Sequence, residues 1–332
     1  MTSAWIDTVK DVPFFIVGGA GFIGAHFVDY LLNEGEASQV TIYDNFSSGR
    51  EWHVEAHLSD PRFRIVRGNV EDSSALRRAM DGHRVVIHLA SNPDIARAAT
   101  DPQIDFSQGI ALTNAVVEAM RTSSAKRILY ASGSGVYGDC GEQYLPEDHG
   151  SLRPISTYGA SKLAGEALIA SYSYMFGLSG CAFRFGNVVG PRQTHGVGFD
   201  FARRLLDDPS HLRILGDGSQ SKSYVYISDI IAAVLRAHSH TASAYQVYNV
   251  ATTDTISVQE IAELALECVG LVRDRVRFEY TGGDRGWKGD VPVVRLDTTR
   301  IRSLGWTCQH SSREALRKAI LAMLPDMKLG RM

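Results

Sequence analysis

The chain has 332 residues, a hydrophobic content of 44% and a formal net charge of −3. This length allows one large or two modest domains with a proper core, and the lack of a basic excess argues against nucleic acid as a partner. No apolar run reaches membrane-spanning length, the first thirteen residues hold no apolar signal core, and the four cysteines are scattered without a ligand cluster. We therefore expect a cytoplasmic protein with reduced thiols, no membrane partner and no metal site.

The first predicted elements lie between Phe14 and Gly35. Phe14–Val17 is apolar without alternation, as in a strand buried on both faces, and an amphipathic stretch that predicts a helix follows. Glycines with GxxGxxG spacing join the two, and glycine lets the backbone of such a turn approach a diphosphate. The stretch predicts a dinucleotide site whose contacts are Gly18, Ala20, Gly21, Phe22, Ile23 and Gly24.

A second apolar run, Val40–Tyr43, ends in Asp44. An acid about twenty residues beyond the last glycine is placed to meet the adenosine ribose hydroxyls. Because a carboxylate repels a 2′-phosphate, Asp44 predicts NAD rather than NADP as the cofactor. We expect the turn-like residues that follow to wrap the adenosine end, namely Asn45, Ser47, Ser48 and Gly49.

Further strands and helices alternate along the chain. Strands are predicted at Arg64–Arg67, Val85–Leu89, Arg127–Ala131 and Cys181–Phe185, and helices at Ile104–Met120 and Ser156–Phe176. This alternation predicts an α/β fold: a Rossmann-type doubly wound parallel sheet with helices on both faces. Residues that follow its strands are expected to complete the cofactor site, namely Asn69, Val70, Leu89, Ala90, Ser91, Ser132 and Phe185.

The pattern loosens after Asn187, where segments rich in Gly, Asp and Arg begin. We expect a smaller α/β C-terminal lobe that binds the substrate across a cleft. The predicted NAD-binding Rossmann domain comprises residues 12–186 and about 224–250. The predicted substrate-binding lobe comprises about 187–223 and 251–330.

Tyr158 and Lys162 are four residues apart on a predicted helix, so their side chains share one face. A tyrosine hydroxyl ordinarily titrates near 10. An adjacent ammonium, together with the positive nicotinamide ring of NAD, favours the phenolate. The pair therefore predicts a general base for a sugar hydroxyl whose carbon gives up a hydride.

Taken together, these motifs resemble the extended short-chain dehydrogenase/reductase family. They resemble in particular its NAD-dependent epimerases and dehydratases of nucleotide sugars, the UDP-galactose 4-epimerases among them. The matching pieces span nearly the whole chain in the family's order: GGAGFIG, Asp44, HLAS, SGSGVYG, YGASK, RFGNVVGPR and GDGSQSKSYVYISD. The resemblance implies a nucleoside-diphosphate sugar as substrate. It also implies a homodimer that pairs through the helices at 104–120 and 156–176, where Leu163, Leu168 and Ile169 could serve the interface or the sheet.

The departures from the family bear on the reaction. The catalytic Thr or Ser of the family corresponds to Gly133, so we expect the hydroxyl to come from Ser134 or, failing that, Ser132. The carboxylates that the dehydratases and decarboxylases carry correspond to Ser134 and Gly135. Asn69 stands in place of the Asp that meets adenine, and Lys222-Ser223 in place of an Arg-Asp pair.

The resemblance favours an epimerase, acting at the 4-position of the sugar, over elimination or decarboxylation. The alternatives are a dehydrogenase that releases a keto-sugar, a 4,6-dehydratase, and a non-catalytic dinucleotide sensor. Two further predictions stay open: His195 as a sugar contact or a solvated loop residue, and Arg285 as a diphosphate contact or a surface charge. The full set of expected substrate contacts is Asn92, Ser134, Asn187, Arg192, His195, Lys222 and Arg285.

Overall fold

A seven-stranded parallel sheet forms the centre of the molecule. The structure is a computed structural model that describes residues 9–92, 95–240 and 243–331. Its strands are β1 (Pro13–Val17), β2 (Gln39–Asp44), β3 (Phe63–Arg67), β4 (Val85–His88), β5 (Arg127–Gly133), β6 (Tyr144–Leu145), β7 (Ser179–Phe185), β8 (Asn187–Val189), β9 (His211–Ile214), β10 (Ser221–Lys222), β11 (Tyr224–Tyr226), β12 (Tyr245–Val250), β13 (Ile256–Ser257), β14 (Arg277–Tyr280) and β15 (Arg295–Leu296).

The central sheet has the order β3-β2-β1-β4-β5-β7-β12. Every neighbouring pair in it is parallel, and the order changes direction between β1 and β4. This arrangement confirms the predicted Rossmann-type doubly wound α/β fold. Ligands of such sheets bind outside the carboxyl ends of the strands, at the point where the order reverses.

Helices cover both faces of the sheet and build most of the remaining structure. They are α1 (Phe22–Asn33), α2 (Ser73–Met80), α3 (Gln103–Asp105), α4 (Leu112–Arg121), α5 (Thr157–Phe176), α6 (Val197–Asp207), α7 (Ile227–His240), α8 (Val258–Val269), α9 (Thr299–Ser303) and α10 (Ser312–Lys328). Among the residues described, none of these helices is both long and apolar enough to span a bilayer.

The helix predicted at Ile104–Met120 is interrupted. A π-helical turn, Phe106–Ala111, separates α3 from α4. Gly109 lies inside it and packs closely on α5, because a Cβ at that position would lie 2.6 Å from the Ser161 Oγ. Such turns are frequent at functional sites, and this one places Ser107, Gln108 and Ala111 on the wall of the cleft described below.

A second apolar cluster lies outside the central sheet, formed mainly by α6, α8 and α10. Apart from Tyr224, its buried members come from the two segments assigned to the substrate lobe, and the lobe boundaries stay a prediction. Residues 291–306, included in that prediction, instead add five side chains to the cluster of the central sheet: Val291, Val294, Leu296, Ile301 and Trp306.

Candidate active site

A cleft of about 1130 Å³ runs along the carboxyl edge of the sheet. This volume exceeds the roughly 300–1,000 Å³ of a site for one small molecule, so two ligands can lie in it together. The predicted residues that line it are Gly18, Gly21, Phe22, Ile23, Gly24, Asp44, Asn45, Ser47, Ser48, Asn69, Val70, Leu89, Ala90, Ser91, Asn92, Ser132, Ser134, Tyr158, Lys162, Phe185, Asn187, His195 and Lys222.

The glycine turn forms a cradle at one end of the cleft. Gly18 has φ 84°, and a Cβ there would lie 2.7 Å from the Ala90 amide nitrogen. A Cβ on Gly24 would lie 2.5 Å from the Gly18 oxygen, so α1 can approach the strand only through glycine. Gly21 is the N-cap of α1 and faces the cleft. A backbone left bare at a helix N-terminus suits the diphosphate of a dinucleotide.

Asp44 ends β2 beside this cradle and is held by the backbone. Its two carboxylate oxygens accept hydrogen bonds from Ala20 N (2.9 Å) and Phe46 N (2.8 Å). Burial raises the pKa of Asp44, and these two bonds oppose the shift. Two predicted cofactor contacts, Ala20 and Gly49, do not line the cleft. Ala20 is buried, and a Cβ on Gly49 would lie 2.7 Å from the Ala20 Cβ. They shape the turn that presents Asp44.

Tyr158 and Lys162 lie one turn apart on α5, which begins where the Ser156 hydroxyl accepts a hydrogen bond from Gly159 N. The Lys162 Nζ is 5.4 Å from the Tyr158 ring centroid and donates to the Ala131 carbonyl of β5 at 2.8 Å. Lys162 is 3% exposed. The sheet therefore fixes the ammonium, and both side chains line the cleft where β5 ends.

The protein alone does not lower the pKa of the tyrosine. Burial raises the pKa of Tyr158 to about 12, a hydrogen bond with Ser91 acts in the opposite direction, and the charge of Asp105 adds to the rise. Burial also lowers the pKa of Lys162 to about 8, against the raising effect of Asp105. The sequence analysis predicted that two positive charges stabilise the Tyr158 phenolate. The first is the Lys162 ammonium, and the second is the nicotinamide ring of the cofactor.

His88 closes β4 below this pair, fully buried. Its Nε2 lies 3.1 Å from the Thr113 Oγ1, and burial, then the Lys162 charge, lower its pKa to about 3. A histidine held neutral in this way is not suited to carry protons near neutral pH.

The strand end Ser132–Gly135 carries the two candidate hydroxyls, those of Ser132 and Ser134, in different surroundings. Ser132 is buried and donates to Glu166 Oε1 at 2.5 Å, and the same Glu166 is paired with Arg184 at 2.8 Å. This bond engages the hydrogen of the Ser132 hydroxyl with a buried carboxylate, and the catalytic role of either serine stays a prediction. Ser134 lines the cleft, and a Cβ on Gly133 would have nothing within 4 Å.

Asn187 and Lys222 face the cleft where the strands pass into the second cluster. The Asn187 side-chain amide donates to the Ser223 carbonyl at 3.2 Å. The Lys222 ammonium pairs with the Asp290 carboxylate, which also accepts from Gly286 N at 3.1 Å. His195 lies in the same cleft. Burial raises the pKa of the nearby Asp200, against the smaller lowering effects of the charges of Arg204 and His195.

Two predicted substrate contacts point elsewhere. Arg192, at φ 64°, turns toward α1 and pairs with Asp29, with its other nitrogen donating to the His53 carbonyl. Arg285 donates to Asp139 Oδ2 and to the Asp290 carbonyl, both at 2.7 Å. Neither arginine lines the cleft: Arg192 is held by Asp29 and the His53 carbonyl, and Arg285 by Asp139 and the Asp290 carbonyl.

The sequence reasoning missed three residues of this region. Asp105 is buried beside Tyr158, Gln220 is buried in the cleft wall, and Arg204 of α6 faces the cleft. Asp105 falls in the first turn of a predicted helix, where an acid is common, and nothing in its spacing marks it. The partners of Asp105 are Asn92 and Thr157, which lie 13 and 52 residues away in the sequence.

A Rossmann-type sheet, a glycine cradle with an acid beside it, and a Tyr–Lys pair at the same edge define a dinucleotide-dependent enzyme of the short-chain dehydrogenase/reductase type. The chain belongs to the NAD dependent epimerase/dehydratase family, whose sequence model matches residues 14–251. This membership confirms the predicted resemblance and the predicted cofactor, NAD, which the cradle and Asp44 fit.

Relatives of known activity cover nearly the whole chain. A UDP-glucose 4-epimerase of Mycolicibacterium smegmatis is 31% identical over 312 residues, 92% of this chain and 96% of its own. A crystal structure of UDP-galactose 4-epimerase is 33% identical, with a TM-score of 0.84 over 95% of this chain and 99% of that one. The dTDP-glucose 4,6-dehydratase DesIV of Streptomyces venezuelae, solved as a double mutant with NAD and DAU bound, is 25% identical, with a TM-score of 0.85 over 93% and 96%.

Proposed function

We propose that this chain is an NAD-dependent epimerase of a nucleoside-diphosphate sugar, acting at the 4-position through a transient keto-sugar. One observation carries the proposal: Tyr158 and Lys162 face the cleft beside a strand end, Gly133-Ser134-Gly135, that offers a hydroxyl and no carboxylate. Elimination of water needs an acid for the leaving hydroxyl in addition to the base. Epimerisation at an oxidised carbon needs only the base and a hydride that is returned.

In the proposed reaction, the Tyr158 oxygen accepts the proton of the sugar 4-hydroxyl and later gives it back. Bound NAD supplies the acceptor, and then the donor, of the hydride on the same carbon. Lys162 stabilises the tyrosinate, and its bond to Ala131 keeps the ammonium in place. Ser134 donates to the developing carbonyl oxygen. The sugar must turn over inside the cleft before the proton and hydride return to its other face.

The cleft must retain the keto-sugar by its diphosphate during this turn. We propose Asn187 and Lys222 for that role, since both face the cleft and Lys222 can exchange its Asp290 partner for a phosphate oxygen. Arg285, the third residue predicted for it, is held outside by Asp139. Arg204 of α6 is the additional cation on this wall.

Incubation with UDP-glucose or UDP-galactose, followed by NMR of the products, tests the reaction directly. We expect interconversion without net NADH and its loss in Tyr158→Phe, which should still bind NAD. Tyr144→Phe, an exposed tyrosine of β6, is the matched control. Accumulating NADH would instead indicate a dehydrogenase that releases a keto-sugar, and a product lighter by one water would indicate a 4,6-dehydratase. Full activity of Tyr158→Phe would remove the tyrosine from the reaction.

The nucleotide of the substrate is to be found by a thermal-shift screen of UDP, GDP, CDP and dTDP sugars. A ligand that binds only the folded state raises the unfolding midpoint, so the preferred nucleotide gives the largest shift.

We propose that two copies of the chain associate in the cytoplasm through α4 and α5. Tyr174 and Met175 of α5 are 92% and 67% exposed, and Phe106 of the π-helical turn is also exposed. Ile169, named from the sequence, packs on the sheet, and Leu163 packs against the central core. Light scattering should give a dimer for the wild-type protein and a monomer for Tyr174→Asp/Met175→Asp. A monomeric wild-type protein would contradict this assembly.

A further inference from the structure

A buried carboxylate, Asp105, lies behind the reacting tyrosine. It is 1% exposed. Its Oδ1 accepts a hydrogen bond from the Asn92 amide at 2.8 Å, and its Oδ2 accepts one from the Thr157 hydroxyl at 2.6 Å. A charge taken out of water is tolerated only where such partners are present, and these two donors supply them.

These two bonds join three elements of the site. Asn92 follows β4 on the cofactor side, Asp105 ends α3 just before the π-helical turn, and Thr157 is the first residue of α5. Thr157 directly precedes Tyr158, so the carboxylate clamps the turn of α5 that presents the reacting hydroxyl. An acid at a helix N-terminus also has a favourable interaction with the helix dipole.

The charge of Asp105 acts on both members of the catalytic pair. It raises the pKa of Lys162, against the larger lowering effect of burial, and it raises the pKa of Tyr158. Other titratable groups near this pair include His88 of β4, Tyr130 of β5, whose ring centroid lies 5.3 Å from the Lys162 Nζ, and Glu166 of α5, which is paired with Arg184. Burial raises the pKa of Tyr130 and lowers that of His88, so both are uncharged near neutral pH.

We propose that Asp105 is a positioning residue of the reaction, which clamps the first turn of α5 and so places its negative charge directly behind Tyr158. The proposal rests on the proposed function, in which Tyr158 transfers the proton. It assigns a use to a buried carboxylate that no other step needs.

Asp105→Asn separates the two roles, because an asparagine can still hydrogen-bond Thr157 and Asn92 but has no charge. With the charge removed, both pKa values fall, so both limbs of the pH profile of kcat/KM move toward acid. The pKa of Tyr158 can also be read directly, as the near-ultraviolet absorbance difference between Asp105→Asn and Asp105→Asn/Tyr158→Phe during a pH titration. This pKa should fall as well. That second measurement needs no turnover and no cofactor.

Thr157→Val gives the complementary result. It keeps the charge and removes one hydrogen bond of the clamp, so kcat should fall on the order of tenfold with the pH profile unchanged. Asp101→Asn is the control, since Asp101 is exposed on the same segment and pairs with Arg97 at 3.6 Å. It should match the wild type in both measurements.

An unshifted Tyr158 ionisation in Asp105→Asn would overturn the proposal, as would a pH profile that moves equally in Asp101→Asn. Failure of the proposed function is read separately, from an active Tyr158→Phe. The absorbance titration decides the electrostatic role of Asp105 even if the protein proves inactive on every sugar tried.

Discussion

At the scale of single residues, the hydroxyl that assists Tyr158 is the least conventional part of the site. By the resemblance, Gly133 stands at the position of the family's Ser or Thr. Ser132 and Ser134 both line the cleft, but the Ser132 hydroxyl donates to Glu166, so we propose Ser134 for the catalytic role. We predict that Ser134→Ala lowers kcat by about 10²-fold or more with KM little changed, measured by coupled or NMR assay.

A hydroxyl restored at position 133 provides the stricter comparison. Gly133 is extended, with φ −157°, and a Cβ there meets nothing within 4 Å, so Gly133→Ser should fold normally. In the Ser134→Ala background it should recover part of the lost kcat. Ser132→Ala should instead lower the unfolding midpoint, because it removes a donor to the buried Glu166. A catalytic defect in Ser132→Ala with an unchanged midpoint would contradict this assignment.

Gln220 is the second residue whose behaviour follows from its surroundings. It is 3% exposed in the cleft wall, and neither Nε2 nor Oε1 has a hydrogen-bond partner among the described residues. An unpaired buried amide costs about 1–3 kcal/mol, so Gln220→Met should raise the unfolding midpoint of the free protein. If a nucleotide sugar pairs with the amide, the stabilisation gained on adding that ligand should fall in the same variant.

Gln259→Met supplies the control for this pair of measurements. Gln259 is exposed on α8, away from the cleft wall. A Gln220→Met protein that gains stability and binds nucleotide sugars as tightly as the wild type would show that the amide does not contact the ligand.

At the scale of elements, the β1–α1 turn is set by close approach as well as by backbone conformation. Gly18→Ala adds a methyl group 2.7 Å from the Ala90 nitrogen at a positive φ. Gly82→Ala isolates the second effect, because Gly82 has nearly the same φ, 85°, with nothing within 4 Å of its Cβ. We expect about 1–2 kcal/mol of lost stability in Gly82→Ala. The loss in Gly18→Ala should be clearly larger and accompanied by weakened NAD binding in calorimetry; equal losses would show that the contact with Ala90 relaxes freely.

The elements also show how far the sequence could be interpreted. Six strands of the central sheet (β1–β5 and β7) were predictable, as were α1 and α5, because their signals are local: unbroken apolar runs, glycine spacing, and a Tyr and a Lys one turn apart. The π-helical turn was not, because it depends on Gly109 packing against Ser161 of a different helix. The partners of individual side chains could not be predicted either, because they lie far away in the sequence: Arg192 pairs with Asp29, and Ser132 donates to Glu166.

At the scale of the whole molecule, Arg192 ties the loop that leads into α6 to the cofactor side of the sheet. Its guanidinium pairs with Asp29 of α1 and lies 3.0 Å from the His26 Nδ1, and it donates to the His53 carbonyl. Both histidines are largely buried. Burial, then the Arg192 charge, lower the pKa of His26 to about 4; burial lowers that of His53 to about 4, with Arg192 a smaller contribution.

The sign of the resulting pH dependence follows from these directions. Above the ordinary value of 6.5 the histidines are neutral in both states, so they do not affect the free energy of unfolding. As the pH falls from 6.5 toward 4, the unfolded chain takes up protons that the folded protein excludes, and stability is lost. Arg192→Met removes a charge that lowers both pKa values, and each pKa unit regained is worth about 1.4 kcal/mol.

We therefore expect Arg192→Met to be less stable than the wild type at neutral pH, because Asp29 loses its partner, yet to lose less stability between pH 6.5 and 4. Denaturant unfolding at several pH values measures both effects, and Arg275→Met, at an exposed arginine, should change neither. Parallel stability curves for Arg192→Met and wild type would show that burial alone holds the histidines neutral. A flatter stability curve for Arg192→Met than for the wild type would mean that the Arg192 charge helps to keep the two histidines neutral. The contact between the α6 loop and the cofactor side of the sheet would then weaken in acid because of that charge.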